Sequence, residues 1–170
     1  MRFKNRYLVV ELLWQAKPDE ATKGARLYHA IRENVKATLG EFGSGCMDKA
    51  LQVKYLNSRA DFCVVRVNRS SERELRSVLT LMRHLDGDEM VLRVRHVSGT
   101  AKQCLKAASV LLRRFYFGSH PNAERPGAAV ATITAAAGLN AAHTPSLADQ
   151  EWQRTLNQDL AEIRTALDGS

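Results

Sequence analysis

The sequence predicts an α/β (α+β) fold, a ferredoxin-like split β-α-β sandwich of order βαββαβ followed by C-terminal helices. Strand-like alternation and helix-like spacing of apolar residues follow one another in that order. The 170 residues, 45% of them hydrophobic, suffice for one domain with a buried core. The three cysteines are widely spaced and no apolar run reaches the ~18 residues of a membrane helix, so neither a disulfide framework nor a membrane span is predicted.

The first strand and the first helix are predicted from residues 7–39. Residues 7–14 are mostly apolar and rich in strand formers, which is typical of a strand at the centre of a sheet. Residues 19–39 carry apolar side chains at helical spacing, and Gly40 follows where a helix-terminating glycine is expected. Residues 42–45, Phe-Gly-Ser-Gly, are therefore predicted to form a loop.

A hairpin and a second helix are predicted next. Leu51, Val53 and Tyr55 alternate with polar residues as one strand, and residues 62–69 alternate as the next, after a turn-like segment. A capping box at Ser71 and Glu74 predicts the start of the second helix. The apolar stripe of that helix is predicted to be Leu75, Val78, Leu79 and Met82. The helix is predicted to end at Asp86-Gly87.

A fourth strand and a third helix complete the pattern. The strand is predicted with Leu92, Val94 and His96 on one face. A Ser-Gly-Thr turn at 98–100, whose threonine is the expected cap, opens a third helix that ends at Gly118. Right-handed crossovers place the first strand near the middle of the sheet and the fourth at its edge.

The chain is expected to divide into three segments. Residues 1–117 form the domain, residues 118–145 a Pro/Ala-rich linker or insertion, and residues 146–170 an amphipathic helix. A helix of this length is marginal alone, so its apolar stripe must pack on its own domain or on another protein. We favour a partner, because the linker is expected to be flexible. The predicted partner-binding residues are Trp152, Leu156, Leu160 and Ile163.

The charge distribution suggests a polyanionic partner for the domain. Residues 1–117 hold 22 Lys/Arg and 12 Asp/Glu, a net charge of +10, whereas residues 118–170 hold 3 and 6, a net charge of −3. Of the 25 basic residues, 17 are arginine, whose planar fork suits phosphate. A basic body with a mildly acidic tail is typical of nucleic-acid binding, although a solvated basic surface remains the alternative.

Motifs for chemistry by the protein itself are missing from the sequence. There is no C-x-x-C pair, phosphate-binding glycine loop or serine-histidine arrangement, so no catalytic or metal-binding residue is predicted. An acyl-phosphate hydrolase on this fold would use a pair such as Asn68 and Arg69, but the glycine-rich cradle after the first strand is missing. The third strand supplies only Phe62 where an ordinary RNA-recognition domain carries several stacking aromatics.

Three basic clusters are the candidate RNA-binding sites, through contacts with the phosphate backbone. The first precedes the first strand, the second lies on the hairpin, and the third opens the third helix, where free amides and the helix dipole favour an anion. Two further arginines extend the basic side of that helix. The predicted RNA-binding residues are Arg2, Lys4, Arg6, Lys54, Arg66, Arg69, Ser98, Gly99, Thr100, Lys102, Lys106, Arg113 and Arg114.

Three segments carry a resemblance to a known family. Residues 2–11 (RFKNRYLVVE), 53–57 (VKYLN) and 96–104 (HVSGTAKQC) resemble the processing-of-precursors subunit five family. Its members are small RRM-like protein subunits of ribonuclease P and of the related ribonuclease MRP. The resemblance covers residues 1 to about 117 and leaves the alanine-rich segment and the tail outside the pattern.

The resemblance implies a non-catalytic RNA-binding subunit of the nucleus and nucleolus. In such particles the RNA subunit, with Mg²⁺, performs the endoribonuclease chemistry that removes precursor tRNA 5′ leaders or processes ribosomal RNA, so the protein is expected to bind no cofactor. The protein would brace the catalytic RNA, contact precursor tRNA indirectly and pair with a related small subunit as a heterodimer. The RNA contacts that the resemblance carries over are Arg2, Lys4, Arg6, Lys54, Ser98, Gly99, Thr100 and Lys102. A stand-alone ligand-sensing or small hydrolase domain is the alternative.

Overall fold

A computed structural model describes residues 4–16, 23–118 and 147–168. Five antiparallel strands form one sheet in the order β2-β3-β1-β5-β4. The predicted α/β class, its βαββαβ order and the central place of the first strand are confirmed, and a C-terminal helix follows. The edge position predicted for the fourth strand is wrong, because one short extra strand lies outside it. The elements are β1 (Asn5–Trp14), α1 (Gly24–Asp48), β2 (Gln52–Asn57), β3 (Phe62–Asn68), α2 (Glu72–Leu81), β4 (His84–Leu85), β5 (Asp88–Ser98), α3 (Ala101–Gly118) and α4 (Leu147–Asp168).

Both faces of the sheet are buried, as the apolar run in β1 predicts. Leu8, Val10 and Leu12 point to a core built with α1 and α2, whereas Tyr7 and Val9 point to a second core. The second core is completed by apolar side chains of α3 and α4. Helices pack on both faces of β1 and bury residues 7–10 and Leu12, which explains why this run lacks the alternation of a half-exposed strand.

Two strands contain β-bulges, and each bulge places side chains on a different face of the sheet from the one predicted. The register of β2 against β3 shifts around Lys54, so Val53 packs in the first core while Tyr55 packs in the second. The register of β5 against β1 shifts as well. His96, which is predicted to share a face with Leu92 and Val94, is therefore exposed, and Val97 packs against the first core instead. A bulge adds one unpaired residue, and every later side chain then changes face.

Helix α1 bends sharply at Gly40 instead of ending there. Gly40 has φ +72° and ψ −173°, and the chain returns to helix over the segment predicted as a loop, residues 42–45. Nε and Nη2 of Arg32 donate to the two carboxylate oxygens of Asp48 at 2.9 Å. Sixteen residues of straight helix span roughly 24 Å, so this contact requires the two arms to fold back on each other. Burial of Met47 in the first core outweighs the low helix propensity of the glycines.

The second helix is shorter than predicted. Ser71 precedes α2 but makes no side-chain cap hydrogen bond, so the expected capping box does not form. The helix stops at Leu81, and Met82 is buried in extended conformation. Asp86 and Gly87 have φ of +53° and +99°, which is the backbone of a tight hairpin turn between β4 and β5 rather than of a helix end.

The C-terminal helix packs on its own domain, which corrects the favoured partner interpretation. Leu156 and Ile163 are buried in the second core, and Leu160 packs against it. The side chain of the fourth predicted partner residue, Trp152, lies outside the described residues. Residues 119–145 of the predicted linker also lie outside them. The buried carboxylate of Asp159 accepts a 2.7 Å hydrogen bond from the hydroxyl of Tyr116, which ties α4 to α3.

Candidate nucleic-acid interface

Basic segments that are far apart in sequence meet at one end of the sheet. The first residues of β1 pair with the last residues of both neighbouring strands, Asn5 with Asn68 of β3 and Tyr7 with Ser98 of β5. The backbone N–H of Arg69 donates to the carbonyl oxygen of Lys4 at 2.9 Å. The structure therefore brings together Lys4 and Arg6, Arg66 and Arg69, and the start of α3. Arg2 lies outside the described residues.

Arg6 and Gly99 make the closest contact between these segments. A Cβ built on Gly99 would lie 2.8 Å from Nη1 of Arg6, closer than van der Waals contact allows. The guanidinium therefore rests against the glycine backbone at the strand-to-helix turn, and Nη1 also donates weakly to the carbonyl of Asn5 at 3.4 Å. A glycine is therefore needed at position 99 for the Arg6 side chain to come this close to the backbone, and the contact places a positive charge beside the start of α3.

The start of α3 combines a cap with exposed lysines. The Thr100 hydroxyl accepts a 3.3 Å hydrogen bond from the backbone N–H of Gln103, which confirms the threonine as the predicted cap. Ser98 is buried, and its hydroxyl lies 3.5 Å and 3.3 Å from the carbonyl oxygens of Tyr7 and Thr100. Its side chain belongs to the turn and is buried, and its contact with RNA stays a prediction.

A basic stripe continues along α3 from this end. Lys102, Lys106 and Arg113 are exposed and recur at spacings of four and seven residues, which places them on one helix face. Arg114 is exposed beside that stripe. Arg113 lies eleven residues beyond Lys102, roughly 16 Å along the helix, so the two arginines extend the basic surface rather than join the cluster at the sheet end.

Arg66 and Lys54 lie next to the sheet end, on the strands farther from α3. Arg66 pairs with Tyr7 on one side and Gln52 on the other, so these three side chains share a face. Lys54 stands in the β2 bulge and is half-buried. Burial first, and then the positive charge of Arg66, lower the pKa of Lys54. The structure thus confirms that the two residues are close, as the hairpin predicts.

Two other arginines of the sheet are neutralised, which sequence reasoning missed. Arg93 donates from Nε at 3.0 Å and from Nη2 at 2.6 Å to Oε2 of Glu11, and Nε of Arg95 lies 3.8 Å from the same atom. Glu11 and Arg93 face each other directly in the β1–β5 register, so a correct strand register is the signal that could have found this pair. These cations are less available to a polyanion than those at the sheet end.

The described residues show no candidate metal centre, and the buried thiols are poor nucleophiles. Within 4–16, 23–118 and 147–168, no cluster of three histidine, cysteine or acidic side chains could hold a metal ion. Burial raises the pKa of Cys63 and of Cys104 to about 12, so both remain protonated at neutral pH. No helix in the described part of the chain is long and apolar enough to cross a membrane.

Comparison with known proteins identifies the family. The model of the Rpp14/Pop5 family matches residues 6–109, which is more than half of the chain. The chain belongs to the Rpp14/Pop5 family. The match contains β1 from Arg6 onward, the hairpin and the first part of α3, and therefore most of the basic cluster described above.

Individual relatives are ribonuclease P/MRP subunits by name. The chain is 32% identical over 110 residues to a "Probable ribonuclease P/MRP protein subunit POP5" of Dictyostelium discoideum, covering 64% of each protein. It is 34% identical over 118 residues to the "Ribonuclease P/MRP protein subunit POP5" of Schizosaccharomyces pombe, covering 64% of this chain and 85% of that one. A chain in a cryo-EM structure of yeast ribonuclease MRP aligns at TM-score 0.48 and 13% identity, over 59% of this chain and 78% of that chain.

Proposed function

We propose that this chain is a non-catalytic, RNA-binding protein subunit of a ribonuclease P/MRP particle. One geometric observation carries the proposal. Basic residues from three separate segments, 4–6, 66–69 and 98–102, converge at one end of the sheet. The family assignment and the names of the relatives support the choice of particle.

The protein would brace the catalytic RNA through the phosphate backbone. A compact RNA domain brings phosphates close together, and their mutual repulsion opposes folding. Arginines and lysines held in fixed positions offset that repulsion and displace condensed counterions. Mg²⁺ is then expected to bind the folded RNA, where the particle would process precursor tRNA or ribosomal RNA.

The packing of the sheet supports backbone contact rather than base stacking. Phe62, the only aromatic residue of β3, is 1% exposed because α3 and α4 cover that face. Ordinary RNA-recognition domains stack bases on the corresponding open face. The exposed cations at the sheet end and along α3 are the RNA contacts that we propose, and such contacts depend on charge and shape rather than on base identity.

Partners and location follow from the same proposal. Membership of the particle implies other protein subunits beside the RNA, with a related small subunit as the proposed heterodimer partner. Because the apolar stripe of α4 is occupied within the chain, this partner must use a surface other than Leu156 and Ile163. The named relatives from eukaryotes suggest the nucleus as its location, and we propose the nucleolus for the particle that processes ribosomal RNA.

The experiment combines recovery of the chain from cells with RNA binding at several salt concentrations. The bound RNA is sequenced, and the same RNA is then titrated with the chain and with a variant carrying Lys4, Arg6 and Arg69 changed to alanine. Loss of three phosphate contacts lowers the slope of log affinity against log salt by roughly two to three. The variant is expected to keep the melting temperature of the parent, because these side chains lie outside both cores.

A second triple variant controls for the change in net charge. Arg83 follows α2, and Arg154 and Arg164 lie on α4. All three are exposed and none belongs to the three basic clusters, and their replacement by alanine removes the same charge. This control variant is expected to change the slope of log affinity against log salt by less than about one unit. Equal slopes for the two triple variants would mean that RNA binding depends only on net charge and not on the basic cluster. Recovery of the chain without ribonuclease P or MRP RNA would reject the proposed particle.

A further inference from the structure

Two neutral side chains hold the Arg66 guanidinium in place. Nη1 of Arg66 donates to Oε1 of Gln52 at 3.3 Å. The Asn5 carboxamide faces the same guanidinium, and the orientation that satisfies both groups places its oxygen 3.2 Å from Nε and 2.8 Å from Nη2. The side chains share one face of the sheet, because Gln52 pairs directly with Arg66 and Asn5 stands two residues before its other partner, Tyr7.

A second cation is placed beside Arg66 by the bulge in β2. Lys54 is the extra residue of that bulge, and it is half-buried. The pKa of Lys54 is lowered by burial and by the charge of Arg66, which means that the pair is held together at an electrostatic cost. Among the described residues, no carboxylate forms an ion pair with either cation.

Arg66 differs from several other arginines of the chain because its hydrogen-bond acceptors are amide oxygens rather than carboxylates. Arg32, Arg76 and Arg93 each donate to a carboxylate, of Asp48, Glu72 and Glu11 respectively. A carboxylate orients a guanidinium and also neutralises it, whereas an amide oxygen orients it and leaves its charge available. Arg66 is therefore oriented without being neutralised, next to a lysine whose charge is equally uncompensated.

We infer that Asn5, Gln52, Lys54 and Arg66 form a cradle for one phosphate group of an RNA backbone, with Asn5 and Gln52 as positioning residues for Arg66. The inference rests on the proposed RNA-binding function and goes further by naming a subsite and the residues that organise it. An anion between the two cations offsets their repulsion. The guanidinium retains N–H groups beyond those used by the two amides, and these can donate to phosphate oxygens.

The test changes each positioning amide into a carboxylate. Asn5→Asp and Gln52→Glu accept the same hydrogen bonds from Arg66, so the melting temperature is expected to be unchanged or higher. Binding of the RNA recovered with the chain is expected to weaken about tenfold, with the salt slope lower by roughly 0.7 to 0.9. If the amides had only a structural role, a stronger bond to Arg66 would leave RNA binding as tight as in the parent.

The matched control is Gln15→Glu. It adds the same charge by the same exchange of amide for carboxylate, at an exposed residue just beyond the other end of β1, roughly 33 Å from Asn5. Its RNA affinity is expected to fall less than threefold. Equal losses for Gln15→Glu and the two cradle variants would overturn the inference, because the effect would then be that of net charge.

A second probe separates this inference from the proposed function. Inorganic phosphate is titrated into the chain while the Arg66 Nε–H resonance is followed by NMR. A saturable shift of this resonance in the parent that is lost in Asn5→Asp supports the cradle. This holds even if no ribonuclease RNA is recovered with the chain, in which case free phosphate is the ligand of the cradle. RNA binding by the parent with unchanged affinity and slope in both cradle variants overturns the cradle and leaves the proposed function standing.

Discussion

At the scale of single residues, the partner of each arginine decides what it can do. Glu11 neutralises Arg93 on the sheet, and Asp48 fastens Arg32 across the bend of α1, so these arginines serve the fold. Arg6 instead rests on a glycine backbone, with its charge uncompensated by any carboxylate among the described residues. The sequence identified the basic clusters, but it could not separate neutralised from available cations, since that distinction depends on the strand register.

Replacing Gly99 with alanine tests the contact with Arg6. The added methyl group meets only the end of a flexible side chain, so Arg6 moves and the backbone does not. We expect the free energy of unfolding to change by less than about 0.5 kcal/mol. The salt slope of RNA binding is expected to fall by roughly 0.7 to 0.9, the contribution of one phosphate contact.

A double-mutant cycle supplies the control for Gly99→Ala. If the glycine acts by positioning Arg6, Gly99→Ala is expected to cause no further loss of affinity once Arg6 is alanine. Additive losses in the double variant would mean that Gly99 contacts the RNA independently of Arg6.

At the scale of elements, most of the fold followed from apolar periodicity. The first strand, the β3 alternation and the stripe of α2 all occupy the faces that their spacing predicts. The two bulges could not be predicted, because Lys54 and Arg95 continue a regular polar–apolar pattern in the sequence. The bend in α1 could not be predicted either, since Gly40 satisfies the rule for a helix end while the core contact of Met47 determines the structure beyond it.

The packing of α4 leads to a prediction at the same scale. Ile163 is fully buried against the sheet, so its replacement by alanine leaves a cavity in the second core. We expect a loss of roughly 2 to 5 kcal/mol in the free energy of unfolding of the isolated chain, measured by chemical denaturation. The neighbouring Arg164 is exposed, and Arg164→Ala is expected to change stability by less than about 0.5 kcal/mol. A stable Ile163→Ala chain that fails to bind another subunit would restore the partner interpretation of the tail.

At the scale of the whole molecule, helices cover the central part of both sheet faces, and many exposed cations lie toward the sheet end and on helix surfaces. The first core lies under α1 and α2, and the second under α3 and α4. Phe62 and Tyr55 lie 5.8 Å apart between ring centroids, but this aromatic pair belongs to the second core. A domain of this kind is expected to bind RNA through charge, with little dependence on the bases.

An RNA that lacks bases gives the last prediction. Where bases stack on aromatic side chains, each stacked base contributes roughly 1 to 3 kcal/mol, so removing one weakens binding at least fivefold. Under the proposed function, the cations at the sheet end contact phosphates, which abasic nucleotides retain. We therefore expect the chain to bind an oligonucleotide and its abasic counterpart of equal length with affinities within about threefold of each other, while both lose affinity steeply as salt rises. Phe62→Leu, which removes the aromatic ring yet keeps a buried apolar side chain, serves as the control and is expected to leave both affinities unchanged. A loss of binding on removal of the bases, together with a further loss in Phe62→Leu, would show that α4 leaves the sheet to expose a stacking surface, and the closed sheet would then be only one state of the molecule.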